Sequence, residues 1–279
     1  MRYCGIDVSA RAEAQHLCTL HERRGAEGPE LVATFYEPGD VAAVARTVLG
    51  FGGEAVVALD APTGHRLDLL AAGEPLRETL GLPSGRFERH RVCDALLFRR
   101  RMPLYPVPAS LGAQRTWEAW IATAFALTDA LAPLGRFTPP SPREVAANGD
   151  QAPDARLRGS VEPGALRFGR LCETYPEAVF CALLGHRPSS KRTPSGLQQR
   201  IAALRLRGVA DDDGGLWHRS LPELDACAGA YAAHALATAQ GIWVGEPGEG
   251  VIVLPTDELR DAYGRLPPPA RTPLAVAAR

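Results

Sequence analysis

Residues 55–62 read A-V-V-A-L-D-A-P: five apolar residues, then an aspartate, an alanine and a proline. An uninterrupted apolar run of this length is typical of a strand that is buried on both faces of a sheet. Asp60 ends the run, and Pro62 prevents the strand from continuing because proline cannot donate a ladder hydrogen bond. The sequence therefore predicts a central strand with a carboxylate at its end.

The segments before this strand predict the opening of a mixed α/β sheet. Three short strands are expected at residues 2–8, 14–20 and 31–36, and a helix capped by Asp40 is expected at about 41–49. The order strand, strand, strand, helix, strand is the opening of a mixed α/β sheet, and we expect five strands in all, flanked by helices.

The later segments are mostly helical in pattern. We expect one domain over residues 1–264, with 63–166 as a largely helical and loop-rich insertion after the fourth strand and 265–279 as a disordered tail. The remaining elements are predicted as helices at 111–134, 176–184, 195–206 and 221–239, and as a hairpin that pairs 242–244 with 251–254.

Composition limits the classes of function. The formal net charge of -1 over 279 residues argues against a uniformly basic nucleic-acid sleeve, although a local basic patch is compatible with it.

The sequence also bears on where the protein resides. No apolar run approaches the ~18–20 residues that span a bilayer, so no membrane association is expected. The six cysteines form no CxxC pair, which disfavours structural zinc, and no signal peptide is evident. We expect a reduced, cytoplasmic protein. Its arginine-rich composition, with Lys191 as the single lysine, is typical of a GC-rich bacterial genome.

Four acidic residues lie at the ends of predicted elements: Asp7, Asp60, Glu173 and Asp225. An aspartate at a strand end is commonly a turn former or a helix cap, so each taken singly has a structural explanation. Together they form the oxygen-donor set that Mg²⁺ or Mn²⁺ prefers, and two such ions ~3.5–4 Å apart promote phosphodiester cleavage. The pattern predicts a cation site at which these acids converge, with Glu173 as the least certain member.

Basic residues supply candidate phosphate contacts. Seven arginines and histidines lie within residues 86–101, among them Arg91, Arg99 and Arg100, and arginine forks suit phosphate oxygens. Asp94 lies inside this cluster, where we interpret it as an ion-pair partner that holds the arginines. Lys191 precedes a helix and is a candidate for contact with a substrate phosphate or the leaving oxygen. The helical spacing of Trp117 and Trp120 favours core packing over base stacking.

Six motifs in this order resemble the bacterial domain-of-unknown-function 429 family, which is described as a predicted nuclease with a ribonuclease H-like fold. The resemblance runs from Met1 to about Leu259 and is carried by GID at 5–7, VALDAP at 57–62, RVCD at 91–94, ETYPE at 173–177, a Lys–Gly–Arg set at 191, 196 and 200, and DAxxxAxxA from 225. Two features depart from the pattern: Leu-Pro-Glu-Leu precedes Asp225 in place of paired acids, and the insertion after Asp60 is long.

The resemblance implies a ribonuclease H-like fold with Asp7, Asp60 and Asp225 at metal positions, Glu173 as a fourth ligand, and Arg200 among the substrate-binding residues. The expected reaction is hydrolysis of DNA or RNA by a metal-activated water, with Asp7 bridging two Mg²⁺ or Mn²⁺ ions. A catalytically degenerate module that binds nucleic acid or protein remains open. A phosphotransferase of the actin and sugar-kinase type is disfavoured, because residues 8–12 lack the glycines of a phosphate hairpin.

Overall fold

A computed structural model of the chain describes residues 1–25, 28–83, 85–104, 106–111, 116–140, 157–213 and 215–266. Within these residues the strands are β1 Arg2–Asp7, β2 His16–Gly25, β3 Gly28–Phe35, β4 Ala55–Asp60, β5 Arg158–Ser160, β6 Leu171–Glu173, β7 Val209–Asp211, β8 Ile242–Glu246 and β9 Gly250–Leu254. The α-helices are α1 Val41–Gly50, α2 Leu69–Ala72, α3 Glu74–Thr79, α4 Val92–Arg99, α5 Thr116–Ala130, α6 Pro176–Leu184, α7 Pro194–Arg205 and α8 Leu221–Thr238.

The described strands form one mixed sheet in the order β5-β8-β9-β6-β4-β1-β2-β3-β7. The strands β1, β4, β6 and β9 are parallel neighbours, whereas the pairs β1–β2, β2–β3 and β8–β9 are antiparallel. The predicted mixed α/β sheet with flanking helices is confirmed, but the expected number of five strands is wrong, since the sheet has nine. The edge strands β5 and β7 are three residues long, and a segment this short carries too little alternation to be recognised from sequence.

Helices cover both faces of the sheet and create two apolar cores. Helix α8 packs on the face of β1, β2 and β4 that carries Tyr3, Cys18 and Ala58. Helices α1 and α5 contribute to the core on the opposite face, which contains Ile6 and Leu59. Because side chains alternate along a strand, neighbouring residues of β1 and β4 face different helices. This alternation determines which strand-end acids meet.

Close backbone contact joins α8 to β1. A methyl group placed on Gly5 would lie 1.9 Å from the carbonyl oxygen of Ala226 and 2.1 Å from the amide nitrogen of Ala230. On the helix side, a methyl group on Gly229 would lie 3.2 Å from Cα of Gly5. Helix and strand approach this closely only because both positions lack a side chain, and the contact fixes Asp225 beside the end of β1.

Several predicted elements are confirmed with shifted ends. Asp40 caps α1 by accepting a 2.6 Å hydrogen bond from the amide of Ala43. The helix predicted at 111–134 contains α5, and the hairpin is β8–β9. Residues 112–115 of that predicted helix, residues 141–156 of the predicted insertion and residues 267–279 of the predicted tail lie outside the described residues. No helix in the described part of the chain has the length and hydropathy to cross a bilayer.

Candidate metal and substrate site

Asp7 and Asp60 are direct neighbours across the parallel ladder of β1 and β4. Each is the last residue of its strand, so both carboxylates lie at the carboxyl-terminal edge of the sheet. Register partners in neighbouring strands point to the same face, so the two side chains lie side by side. The sequence prediction that these strand-end acids lie together agrees with this geometry.

Asp225 approaches the pair from helix α8. Ser220 caps this helix, its hydroxyl accepting from the amide of Glu223, while the Glu223 carboxylate accepts a 2.7 Å hydrogen bond from the amide of Ser220. The capping box fixes the first turn. Asp225 follows in the next turn and is only 6% exposed. Its carboxylate acts electrostatically on both strand-end acids.

Burial raises the pKa of all three aspartates, and the charge of Asp225 adds to the effect on Asp7 and Asp60. Burial, together with the charge of Asp225, raises the pKa of Asp7 to about 7. Burial also raises the pKa of Asp60 well above its usual value, and the charges of Asp7 and Asp225 add to this effect. The pKa of Asp225 is raised by burial, against the opposing influence of Lys191 and Arg200. Clustered, desolvated carboxylates of this kind retain protons that a cation can replace.

Lys191 supplies the cation nearest to Asp225, with 3.4 Å between Nζ and Oδ2. Its loop is held against the start of α7, where a methyl group on Gly196 would lie 2.1 Å from the carbonyl oxygen of Ser190. Arg200 donates a 3.0 Å hydrogen bond to the carbonyl of Ser189. The loop therefore presents the only lysine of the chain, with a side chain that is 55% exposed, at the edge of the aspartate cluster.

Glu173 has a different set of partners. Its register partner is Leu59, so its side chain leaves the sheet on the face opposite to that of Asp60. One carboxylate oxygen accepts from Arg91 at 2.8 Å and from the amide of Thr63 at 3.1 Å, and the other accepts from the second nitrogen of Arg91. Glu173 thus anchors the segment that follows Asp60, and the structure does not bring it into the aspartate cluster.

A second acidic group surrounds Arg91. Among the described residues, the one set of three potential ligand atoms that lie within 4.8 Å of one another belongs to Cys93, Asp94 and Glu173. Arg91 is 1% exposed and donates to both oxygens of Asp94 as well as to Glu173. The predicted ion pair between Asp94 and an arginine is confirmed. Because the guanidinium already occupies these carboxylates, it takes the place that a metal ion would need.

The other arginines predicted to bind substrate are also engaged with the protein. Arg99 is exposed but donates to the carbonyl of Leu80, and Arg100 is 7% exposed and donates to the carbonyl of Leu96 at 2.9 Å. Arg200 is 1% exposed and pairs with Glu177. The structure places Arg200 next to the site as a support for the Lys191 loop. It does not bring Arg99 or Arg100 to the aspartates.

The aspartates lie between two connected clefts that share Asp60, Tyr175 and Lys191. The larger, of about 660 Å³, contains Asp7 and is walled by apolar side chains, among them Leu104, Val107 and Trp120. Its polar side is formed by Asp7 and Asp60 and by the buried group of Arg91, Asp94 and Glu173. We call it the apolar lobe, after its larger, apolar wall. The smaller, of about 200 Å³, contains Asp225 and is walled by basic side chains, among them Arg187, Arg200 and Arg265. We call it the basic lobe.

Sequence reasoning missed several residues of this site. His16 is the antiparallel register partner of Asp7, so it shares that face of the sheet, and burial lowers the pKa of its imidazole. Tyr175 lines both lobes and donates a 2.9 Å hydrogen bond to the carbonyl of Pro103. Arg187 and Arg265 meet through a backbone bridge between distant segments. The ETYPE motif contains Tyr175, but no local pattern signals the other three.

A family model described as "Protein of unknown function (DUF429)" matches residues 154–249. No curated protein and no solved structure matches the chain. The matched segment is about a third of the chain and contains Glu173, Lys191, Arg200 and Asp225. It supports the resemblance carried by the sequence motifs. The family description assigns no activity, so the function rests on the site itself.

Proposed function

We propose that the chain is a divalent-metal-dependent phosphodiester hydrolase, a nuclease, on a ribonuclease H-like fold. The single observation that carries this proposal is that Asp7 and Asp60 end neighbouring strands side by side, while the buried Asp225 of α8 acts electrostatically on both. Their oxygens are not all within 4.8 Å of one another, so a bound cation would draw the side chains together. Buried carboxylates that repel one another are costly, and a cation would offset that cost.

The donor set fits Mg²⁺ or Mn²⁺. The three side chains offer hard carboxylate oxygens, and a cation would offset the burial and charge repulsion that raise the pKa values of Asp7 and Asp60. Asp7, Asp60 and Asp225 would hold the metal, whereas Glu173 supports the site through Arg91 and the amide of Thr63. When bound, the metal supplies activation of a water and neutralisation of charge on the phosphate.

The remaining chemistry comes from the protein. Lys191, beside Asp225 at 3.4 Å, is placed to contact a phosphate oxygen or to stabilise charge on the leaving oxygen. Tyr175 lines the passage between the two lobes, and its hydrogen bond to Pro103 fixes its ring there. These residues orient the phosphodiester over the aspartates.

The test is cleavage of labelled single-stranded and duplex oligonucleotides in Mg²⁺ or Mn²⁺. Wild-type protein should cleave at least one of them, and Asp7→Asn should lower the rate by about 100-fold or more while the fold is retained. Asp213→Asn is the matched control, since Asp213 is 80% exposed near the edge strand β7. Equal cleavage by wild type and Asp7→Asn would contradict the proposal. Nucleic-acid binding without any cleavage or metal uptake would favour a non-catalytic binding module.

A further inference from the structure

We infer that the substrate of this site is an unpaired nucleic-acid strand, with one base in the apolar lobe and a neighbouring phosphate in the basic lobe. This inference rests on the proposed nuclease function and names its substrate class. It is carried by the division of one continuous site into an apolar and a cationic half, with the aspartates between them.

The basic lobe has more positive charge than its acids can neutralise. Arg187 and Arg200 both contact Glu177, so two guanidinium groups compete for one carboxylate. Arg265 is exposed, and its side chain has no ion-pair or hydrogen-bond partner in the described part of the chain. Lys191 completes the set at the border with Asp225. Arg187 and Arg200 are held by Glu177, so Arg265 and the exposed Lys191 are the cations that can contact a phosphate group here.

The apolar lobe has the character of a base-binding surface. Trp120 packs partly against the core beneath α5 but also lines the cleft, together with Leu104 and Val107. An aromatic ring in such a position can stack on any base, because every base has a π-face. Core packing, which the helical spacing of Trp120 predicts, therefore explains only some of the contacts of this side chain.

The size of the apolar lobe favours an unpaired base. A cleft of about 660 Å³ lies in the range of pockets that hold one small molecule, so it accommodates a single nucleotide. A base inside a duplex is stacked and paired, and it must leave the helix before it can enter such a pocket. That cost is smallest for a base that is already unpaired, so a single strand, a loop or a frayed end is preferred.

The experiment is fluorescence anisotropy with a labelled mixed-sequence DNA oligonucleotide, single-stranded or in a duplex, in EDTA and about 50 mM salt. We expect the single strand to bind at least about 10-fold more tightly than the duplex. Trp120→Leu keeps the apolar contact with the core and should weaken single-strand binding by about 10-fold, the loss of one stacked base. Arg265→Ala should weaken binding and lower the salt slope by about one.

Trp217→Ala is the matched control, because Trp217 is 50% exposed and lies beside β7, away from the site. Its binding should equal that of wild type. Equal affinity for duplex and single strand, or no difference between Trp120→Leu and Trp217→Ala, would overturn the inference. A different result would contradict the proposed nuclease function, namely cleavage by Asp7→Asn at the wild-type rate. If Asp7→Asn is inactive but wild type cleaves duplex and single strand equally, the nuclease function stands and only the preference for an unpaired strand is wrong.

Discussion

Gly5 on β1 and Gly229 on α8 form the contact that brings a helix carboxylate to the two strand-end carboxylates. A methyl group on Gly229 would lie 3.2 Å from Cα of Gly5, and one on Gly5 would penetrate the helix backbone. The spacing from Gly229 back to Asp225 is four residues, about one helical turn. The position of Asp225 in the proposed metal site therefore depends on this close contact between α8 and β1.

Gly5→Ala should destabilise the protein strongly. The added methyl group meets backbone atoms of Ala226 and Ala230 at 1.9 and 2.1 Å, so the whole helix must move. Overpacking of this kind costs about 1–3 kcal/mol or more. Denaturant unfolding measures the loss. Gly50→Ala is the control, because nothing lies within 4 Å of a methyl group there, and it should be neutral or slightly stabilising. Equal stability of Gly5→Ala and wild type would show that the crossing is not this close.

Arg91→Met should leave buried carboxylates without a counter-charge. Arg91 is 1% exposed and pairs with Asp94 and Glu173, which are 0% and 3% exposed. Removing one partner of a buried network costs about 3–5 kcal/mol. Arg23→Met is the matched control, because Arg23 pairs with Asp212 on the surface, where solvent screens the pair and little loss of stability is expected. Chemical denaturation compares the two, and equal losses would contradict the structural role of Arg91.

The stability of the metal-free protein should fall as the pH rises from about 4 to about 7. The pKa of Asp7 is about 7 in the folded protein against an ordinary value of 3.8, so the unfolded chain loses this proton first. The folded state is therefore favoured by Asp7 at low pH, and the contribution is lost as the pH approaches 7.

Asp7→Asn removes this ionisation. At pH 8 in EDTA the variant should be more stable than wild type by about 1–3 kcal/mol, since one pK unit corresponds to about 1.4 kcal/mol. Near pH 4 the two proteins should converge. Thermal unfolding across this pH range is the measurement. If the variant were less stable than wild type at pH 8, the ionised Asp7 carboxylate would not be destabilising the folded protein.

Lys191→Met should reduce catalysis without unfolding the protein. The Lys191 side chain is 55% exposed, so its pair with Asp225 contributes at most about 1 kcal/mol to stability. Loss of its charge beside the reacting phosphate should lower kcat by about 10- to 100-fold. Arg192→Met, at the exposed neighbouring residue, should retain the wild-type rate. Steady-state cleavage assays decide this, and equal rates for both variants would remove Lys191 from the reaction.

The sequence predicted the centre of the fold better than its edges. The apolar run of β4 and the Asp40 cap of α1 are local signals, and they appear as expected. The three-residue strands β5 and β7 form only by pairing with strands that already exist, so no local pattern marks them.

The residues of the site were also predictable only in part. Asp7 and Asp60 were predictable because each follows an apolar strand. Glu173 also ends a strand, but it is in register with Leu59, one residue before Asp60, so the pleat turns its side chain to the other face. A one-residue difference in register is invisible in a single sequence. The backbone bridge between Arg187 and Arg265 could not be predicted either, because it joins segments that are far apart in the chain.

Calorimetric titration with Mn²⁺ at pH 8 tests the central claim most directly. Wild-type protein should bind Mn²⁺, and Asp7→Asn, Asp60→Asn and Asp225→Asn should each weaken binding by about 10- to 100-fold or more. Cys93→Ala, in the group occupied by Arg91, should bind like wild type. Loss of binding in Cys93→Ala with retention in the three aspartate variants, or no binding by wild type, would contradict a metal site at Asp7, Asp60 and Asp225.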